Sequence, residues 1–384
     1  MQLRFFRNDW LDYVLDALIP VLAVVAALLV GSVILLLLDT NPITAYRALY
    51  EGAFGTNNAF ADTLVKATPL LLVGLGICIS FRGGVINIGG EGQMIVGALM
   101  TTAFALQFPD LPAKVLLPMS LVIGFLGGAI WGGIAGALKA YFNVNEILST
   151  VMLNQIAVYV MNYLLHNDLM DPVQRQMRSN IPQTSRLPHA ADLPRLWKPT
   201  LLHAGVIIAV VLAVLVYIFL WRTTIGYRIR AVGKNARASR YAGIRVKRYM
   251  LLSLLLSGGF AGLAGAVQVL GGVSHRLVTD GSSAGFTGAA GFNGIVAALF
   301  GRLHPLGTIP ASVLFGALLV GGNQLQRTMQ VPSSLITVLN GLVIVFVIGS
   351  DIWTRQRARR RVSATPSEPS KPSRAPQVEM DAVS

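Results

Sequence analysis

Polar residues that could do chemistry interrupt the apolar sequence most clearly between Phe81 and Gln93, which reads FRGGVINIGGEGQ. Asn87 and Gln93 carry amides that both donate and accept hydrogen bonds, and Glu91 carries a carboxylate. A charged side chain costs roughly 2.5–3.5 kcal/mol at the centre of a spanning helix, so it persists only where protein or water surrounds it. The segment is therefore predicted to be a broken or Gly-rich helix near residues 81–93 that lines a path or supports helix packing.

Five polar residues within apolar segments are candidates for a substrate path: Asn87, Glu91, Gln93, Asn154 and Asn293. Neutral amides suit a neutral, hydroxyl-rich ligand because they match hydroxyl groups as donors and as acceptors. The alternative for each is a hydrogen bond between helices, worth about 0.6 kcal/mol on average. For Glu91 a further alternative is a salt bridge to Arg82, and a helical spacing would place Asn87 and Glu91 on one face.

The sequence contains none of the patterns that would indicate a membrane enzyme. H-E-x-x-H, G-x-S-x-G and the phosphate loop G-x-x-x-x-G-K-[ST] are absent, and the five histidines lie at loops or span ends without forming a ligand cluster. We therefore expect no catalytic residue, no metal site and no cofactor bound by this chain.

Composition places the chain among integral membrane proteins. Of 384 residues, 54% are hydrophobic and 12% charged, and the mean hydropathy is +0.62. The net charge of +14 is concentrated in a few loops between apolar segments. This pattern is typical of cytoplasmic loops and argues against nucleic acid as a partner.

The expected fold is an all-α integral membrane protein with about ten transmembrane helices. The predicted spans are residues 17–38, 63–81, 85–107, 115–138, 145–165, 201–221, 249–272, 285–301, 306–326 and 333–350. With the N-terminus inside, 21 of the 31 Lys and Arg residues fall on the cytoplasmic side, so both termini are predicted to be cytoplasmic.

Three regions follow from this topology. Residues 1–16 form a cytoplasmic N-terminus and residues 17–350 the transmembrane domain, which carries a cytoplasmic loop at 222–248. Residues 351–384 form a tail that is first basic, and expected to contact anionic lipid, and then disordered.

Glycine stripes indicate close helix packing. Four glycines recur at four-residue spacing in the span 115–138, and Gly258 and Gly262 repeat the pattern in 249–272. A helical face of glycines lets another helix approach closely. The stripes are predicted to pack within one subunit, with a subunit interface as the alternative.

The basic loop RTTIGYRIRAVGKNARASRYAGIRVKR, residues 222–248, contains nine bases and no acids. Asn235–Tyr241 is predicted to be a short helix, with Asn235 as its N-cap and Gly243 as its stop signal. Such a helix could dock on another protein, whereas an ordinary positive-inside loop would need only the bases.

Three motifs in order resemble one family. FRGGVINIGGEGQMIVGA at Phe81–Ala98, NEILSTVMLN at Asn145–Asn154, and GYRIRAVGKNARASRYAG at Gly226–Gly243 followed by SGGFAGLAG resemble ABC-importer permeases of the branched-chain amino acid, ribose and nucleoside superfamily. The nucleoside and simple-sugar branch is the nearest match. The resemblance covers roughly residues 40–350, and Ser239 departs from it where the family often has alanine.

The resemblance implies a permease subunit of the bacterial inner membrane that transports a nucleoside or related small polar solute, or alternatively a simple sugar. It implies three partners: a cytoplasmic ABC ATPase that binds ATP and Mg, a second and paralogous permease subunit, and an extracytoplasmic substrate-binding lipoprotein or periplasmic receptor. The residues expected to couple the permease to the ATPase are Gly226, Arg230, Gly233, Asn235, Arg237, Arg240 and Gly243. An ion-coupled secondary transporter is the competing class, although such proteins more often carry paired charges within their spans.

Overall fold

A computed structural model of the chain describes Leu22, residues 25–37, 39–176 and 182–330, and isolated positions between 338 and 349. This part is almost entirely helical, and its strand-like pairing is limited to two isolated bridges. The helices are α1 Val25–Leu37, α2 Pro42–Phe54, α3 Asn57–Arg82, α4 Gly90–Gln107, α5 Ala113–Phe142, α6 Glu146–His166, α7 Pro172–Gln176, α8 Gly205–Arg222, α9 Thr224–Lys234, α10 Ala236–Tyr241, α11 Val246–Gly271, α12 Ser283–Thr287, α13 Ala290–Phe300 and α14 Pro305–Met329.

Six of the ten predicted spans are single helices long and apolar enough to cross a membrane: α3, α5, α6, α8, α11 and α14. A seventh is possible if α1 and α2, which meet at an angle of 119°, count as one broken span. The prediction for 333–350 and those for the two termini, 1–16 and 351–384, lie almost wholly outside the described residues.

Two predicted spans differ from the structure. The span expected at 85–107 becomes helical only at Gly90, because residues 83–89 form a non-helical segment instead. The span expected at 285–301 is divided into α12 and the 11-residue α13. At 1.5 Å per residue α13 is about 17 Å long, roughly half of the 30 Å that a spanning helix must cover.

Helices α3 and α11 occupy the centre, while α6 and α8 expose most of their surface. The glycine faces of α5 and α11 oppose each other within this one chain, as predicted. A β-carbon at Gly128 would lie 2.3 Å from the carbonyl oxygen of Gly258, and one at Gly262 would lie 2.3 Å from that of Gly124. Helix α4 joins the same contact, since a β-carbon at Gly97 would lie 2.3 Å from the Cα of Gly262.

The two ends of the helix bundle differ in chemistry. We call one the basic end, because it holds α9, α10 and the end of α3 at Arg82. We call the other the platform end, where the segment 182–204 pairs with residues after α11. Backbone N–H groups of Thr184 and Leu187 donate there to the carbonyls of Leu277 and His275.

Helices α4 and α13 both begin in the interior of the bundle. A β-carbon at Gly90 would lie 3.3 Å from Val73, and one at Gly294 would lie 2.7 Å from the same side chain. Val73 lies nine residues before Arg82 on α3, about 14 Å from the basic end. From this level α4 runs towards the platform end and α13 towards the basic end. The segment before α4 is therefore re-entrant: it returns from the basic end to mid-depth before helix resumes.

The glycine contact yields a matched pair of substitutions on α5. Gly128→Ala should lower the thermal stability of the detergent-solubilised chain, because the added carbon meets the α11 backbone, which cannot move aside. Gly133→Ala should leave stability unchanged or raise it by up to about 1 kcal/mol through helix propensity, since its β-carbon meets only the Leu255 side chain, at 3.7 Å. Equal melting temperatures for the two variants would contradict this account of the packing.

Candidate functional site

The first turns of α4 and α13 meet at the carboxylate of Glu91. A β-carbon at Gly291 would lie 2.4 Å from the Glu91 nitrogen, so the two backbones are in direct contact. The carboxylate accepts a hydrogen bond from the Phe292 N–H at 3.1 Å and another from the Thr287 hydroxyl. Glu91 is 1% exposed. One buried carboxyl group thus lies at the first turns of two helices, where backbone N–H groups favour an oxygen acceptor.

A closed amide network lies beside Glu91 and stabilises the non-helical segment before α4. The Asn87 side-chain nitrogen donates to the Gln93 side-chain oxygen at 2.9 Å and to the Ser257 hydroxyl at 2.8 Å. The Asn87 oxygen accepts from the Gly89 N–H at 2.8 Å and from the Gln93 side-chain nitrogen at 3.1 Å. Asn87 and Gln93 are both buried, and their polar groups are largely used within the protein.

Asn154 connects α6 to this network. Its side-chain oxygen accepts from the Gly92 N–H at 2.8 Å, and its nitrogen donates to the Ile88 carbonyl at 2.9 Å. Asn293 lies in the first turn of α13 and is partly exposed. The structure therefore brings Asn87, Gln93 and Asn154 together around residues 83–92 and places Asn293 on the opposing helix.

Of the alternatives considered for Glu91, the hydrogen bond between helices is present, whereas the salt bridge to Arg82 and the helical face shared with Asn87 are not. Arg82 does not pair with Glu91; its guanidinium donates to the carbonyls of Leu303 at 3.0 Å and Arg302 at 3.4 Å, because Arg82 lies at the basic end. Asn87 and Glu91 also do not share a helical face, since Asn87 precedes the start of α4.

The basic loop contains two helices where one was expected. The predicted short helix is present as α10, with the Asn235 side chain accepting from the Ala238 N–H at 3.0 Å and Gly243 at φ +77° after its end. The unexpected helix is α9, which begins at a Thr223 cap and buries Gly226, Ile229 and Val232 at three-residue spacing.

Contacts of α9 connect this loop to the re-entrant segment. A β-carbon at Gly233 would lie 2.1 Å from the Arg82 carbonyl oxygen and 2.7 Å from the Gly84 nitrogen. The guanidinium carbons of Arg82 and Arg230 lie 4.9 Å and 5.4 Å from the centre of the Trp221 ring. Cation–π contacts of this kind contribute about 0.5–2 kcal/mol each. The basic loop, the end of α3 and the end of α8 are therefore in contact around Trp221, and we call this set of contacts the joint.

At the platform end one carboxylate contacts two histidines. Asp192 lies 3.0 Å from the His189 Nδ1 and 2.9 Å from the His275 Nδ1. Burial lowers the pKa of His275, although the charge of Asp192 opposes the shift. Among the residues that the structure describes, no group of three or more His, Cys, Asp or Glu side chains is arranged to hold a metal ion.

Thr287, which donates to Glu91, and Trp221, which contacts Arg82 and Arg230, could not be predicted from the sequence, because neither is part of a recognisable local pattern. A short internal repeat in the sequence does indicate the pairing of α4 with α13. Ile95-Val96 and Ala98-Leu99 recur 200 residues later as Ile295-Val296 and Ala298-Leu299, and the amide of Gln93 recurs as Asn293. The sequence thus contains a weak internal repeat whose two copies begin the opposed helices.

Comparisons with known proteins agree with one another. The family model described as branched-chain amino acid transport system / permease component matches residues 59–348. The guanosine ABC transporter permease protein NupP of Bacillus subtilis is 35% identical over 87% of this chain and 93% of its own length. The nucleoside permease NupB of Lactococcus lactis is 32% identical over 86% and 90%, and the glucose permease TsgB13 of Haloferax volcanii 34% over 88% and 88%. No solved structure matches the chain.

The contacts of Glu91 predict how its variants behave. Glu91→Leu should lower thermal stability, because it leaves the buried Phe292 N–H without its acceptor, at a cost of about 1–3 kcal/mol, while the Thr287 hydroxyl can still donate to the Ser283 carbonyl at 2.8 Å. Glu91→Gln should lose less, since its carbonyl oxygen can still accept one of these bonds. Glu51→Gln is the control, because Glu51 forms an exposed pair with Arg47 that solvent screens. A Glu91→Leu protein as stable as the control would refute the capping role.

Proposed function

Because this chain belongs to the family of branched-chain amino acid transport system permease components, we propose that it is the permease subunit of an ATP-driven importer for a nucleoside. It is a multi-pass protein of the inner membrane and an ABC transporter permease. The observation that carries the nucleoside assignment is similarity over more than 85% of both chains to two permeases named for guanosine and nucleoside. The similar glucose permease keeps a simple sugar as the second candidate.

The proposed orientation puts the basic end in the cytoplasm. The support is the loop 222–248, whose nine bases follow the positive-inside pattern. Both termini would then be cytoplasmic and the platform end would face outwards. In this orientation the platform, formed by residues 182–204 and 272–282, is the surface on which an extracytoplasmic substrate-binding lipoprotein or periplasmic receptor would deliver the solute.

Helix α10 is the proposed docking element for a cytoplasmic ABC ATPase. It is capped by Asn235, stopped at Gly243, and packed through the buried Ser239. Arg237 and Arg240 are exposed, and Tyr241 is 94% exposed. Tyrosine and arginine are among the side chains enriched at the energetic hot spots of protein interfaces. ATP and Mg would bind to that partner, and this chain would contribute no catalytic group.

The joint around Trp221 supplies a route from α10 to the interior. Motion of α9 would act on Arg82 and Gly84 through Gly233, and on Trp221 through Arg230. Residues 85–89 connect that contact directly to the Asn87 and Glu91 cluster at mid-depth. We propose that Asn87, Glu91, Gln93, Asn154 and Asn293 border the path, and that Asn87, Gln93 and Asn154 meet solute only when their internal hydrogen bonds open. A second, paralogous permease subunit would complete the path.

Uptake measurements test the proposed solute. Cells expressing the chain with its partner subunits should accumulate labelled guanosine, and unlabelled nucleosides should compete more strongly than glucose. Inactivation of the partner ATPase should abolish uptake. Competition by glucose alone would replace the nucleoside with a sugar, and uptake that survives loss of the ATPase would overturn the importer assignment.

The joint predicts separate effects for two glycines of the basic loop. Gly233→Val should reduce solute-stimulated ATP hydrolysis at least tenfold, a change of about 1.4 kcal/mol, because the new side chain meets the backbone of Arg82 and Gly84. Gly243→Asn should retain stimulation, because asparagine tolerates a positive φ and no heavy atom lies within 4 Å of a β-carbon there.

Both variants should insert in the membrane at native levels, which immunoblots of membrane fractions would check. Full stimulation in Gly233→Val would show that the contact between α9 and the re-entrant segment does not transmit the ATPase signal.

A further inference from the structure

A cavity of about 420 Å³ with a mixed polar and apolar lining lies at the platform end, between α3, α11 and α14. Its volume is within the range of pockets that hold small organic ligands. Pro69 forms part of its floor, one helical turn above Val73, which contacts the start of α4. The cavity therefore lies on the platform side of the Glu91 cluster and about 6 Å from its level along α3.

Polar side chains from four parts of the chain converge on this cavity. They are Asp62 and Lys66 of α3, His203 before α8, Gln268 of α11, and Asn323 and Arg327 of α14. Charged and amide groups in apolar helices are costly unless they serve a cavity or a partner. Helix packing alone does not account for the presence of these side chains around one cavity.

The backbone adds an acceptor to the same cavity. Pro69 lies inside α3 and has no N–H, so the carbonyl of Val65 loses its helical partner. Val65 and Pro69 both line the cavity. A proline at this position costs helix stability, and it leaves an acceptor without its helical donor on a residue that lines the cavity.

His203 contributes a neutral ring rather than a charge. Its Nδ1 accepts from the Gly205 N–H at 3.2 Å, which places the ring proton on Nε2. Burial, with a smaller effect from the charge of Arg195, lowers the pKa of His203 to about 4. The ring is therefore uncharged at neutral pH, and the formal charges that line the cavity are one carboxylate and two cations.

We propose that this cavity is a solute-binding site within a single subunit, which receives a neutral, hydroxyl-rich molecule before it reaches the Glu91 cluster. This inference rests on the proposed function. The Asn323 amide can donate and accept, and the Gln268 amide, whose nitrogen donates to the Phe286 carbonyl, can accept through its oxygen. The Asp62 carboxylate can accept from a pair of adjacent hydroxyls, and Lys66 and Arg327 can donate to ring or carbonyl acceptors. A lipid phosphate could use the two cations but would meet the carboxylate of Asp62.

Cysteine labelling tests the site in the intact chain. The native protein is a suitable background, because its single cysteine, Cys78, is buried. Asn323→Cys, reconstituted in lipid nanodiscs, should react with a water-soluble maleimide, and millimolar guanosine should slow the reaction roughly five- to tenfold. Asp110→Cys, in an exposed loop away from the cavity, should react at a rate that guanosine leaves unchanged.

The outcomes separate a solute from a lipid. Protection by guanosine in nanodiscs of neutral lipid supports the proposal, and protection by glucose instead would keep the site but change its solute. Protection that requires anionic lipid and ignores both solutes would show a headgroup site. Equal labelling under all conditions would show that the cavity binds neither. Each of the last two results overturns the proposal.

Uptake kinetics distinguish failure of this site from failure of the proposed function. Asn323→Leu should raise the KM for the solute roughly five- to tenfold, whereas Gln326→Leu, which is exposed on the same helix and does not line the cavity, should not. Normal guanosine uptake with an unchanged KM in Asn323→Leu would remove the cavity site and leave the importer assignment intact. Absence of guanosine uptake by the native chain would instead remove the proposed solute.

Discussion

The structure depends on one buried carboxylate that two helices share. Glu91 belongs to the first turn of α4 and caps the first turn of α13 through the Phe292 N–H. Without an acceptor at this point, the two helix starts would face each other across a buried contact with the Phe292 N–H unpaired. The chain can therefore return to mid-depth from both ends, and from there the 18-residue α4 runs towards the platform end and the 11-residue α13 towards the basic end.

Glycine makes this arrangement possible. Gly90 and Gly291 let the two helix starts touch, and Gly97, Gly128 and Gly262 let α4, α5 and α11 approach to backbone contact. A closely packed interior changes between discrete arrangements and does not deform continuously. A helix displaced at the edge of this interior therefore either moves its neighbours or is held in place by them. The contact of α9 with the re-entrant segment lies at that edge. Opposed, interrupted helices also occur in secondary transporters, so this architecture does not define the energy source.

The sequence predicted those features that have a local cause. Long apolar stretches predicted six of the spanning helices, and the glycine stripe that contains Gly128 predicted the close packing of α5 against α11. Asn235 and Gly243 predicted where α10 begins and ends. It could not predict features that arise from contact between distant segments. The partner of Glu91 lies some 200 residues away, and the division at 285–301, where Gly288 and Ala289 have left-handed backbone, places the start of α13 beside that partner. Hydropathy alone therefore predicts a full span that includes the apolar α13. The weak repeat of Ile95-Val96 at Ile295-Val296 is a sequence signal that α13 instead pairs with α4.

The most direct test of the account asks what energy source drives transport. Vesicles that contain this chain with its partner ATPase and second permease, and the receptor on the opposite face from that ATPase, would be given labelled guanosine with ionophores that abolish all ion gradients. The account predicts accumulation that continues under these conditions and stops when a non-hydrolysable analogue replaces ATP. Accumulation that follows an imposed ion gradient and is indifferent to ATP would contradict it.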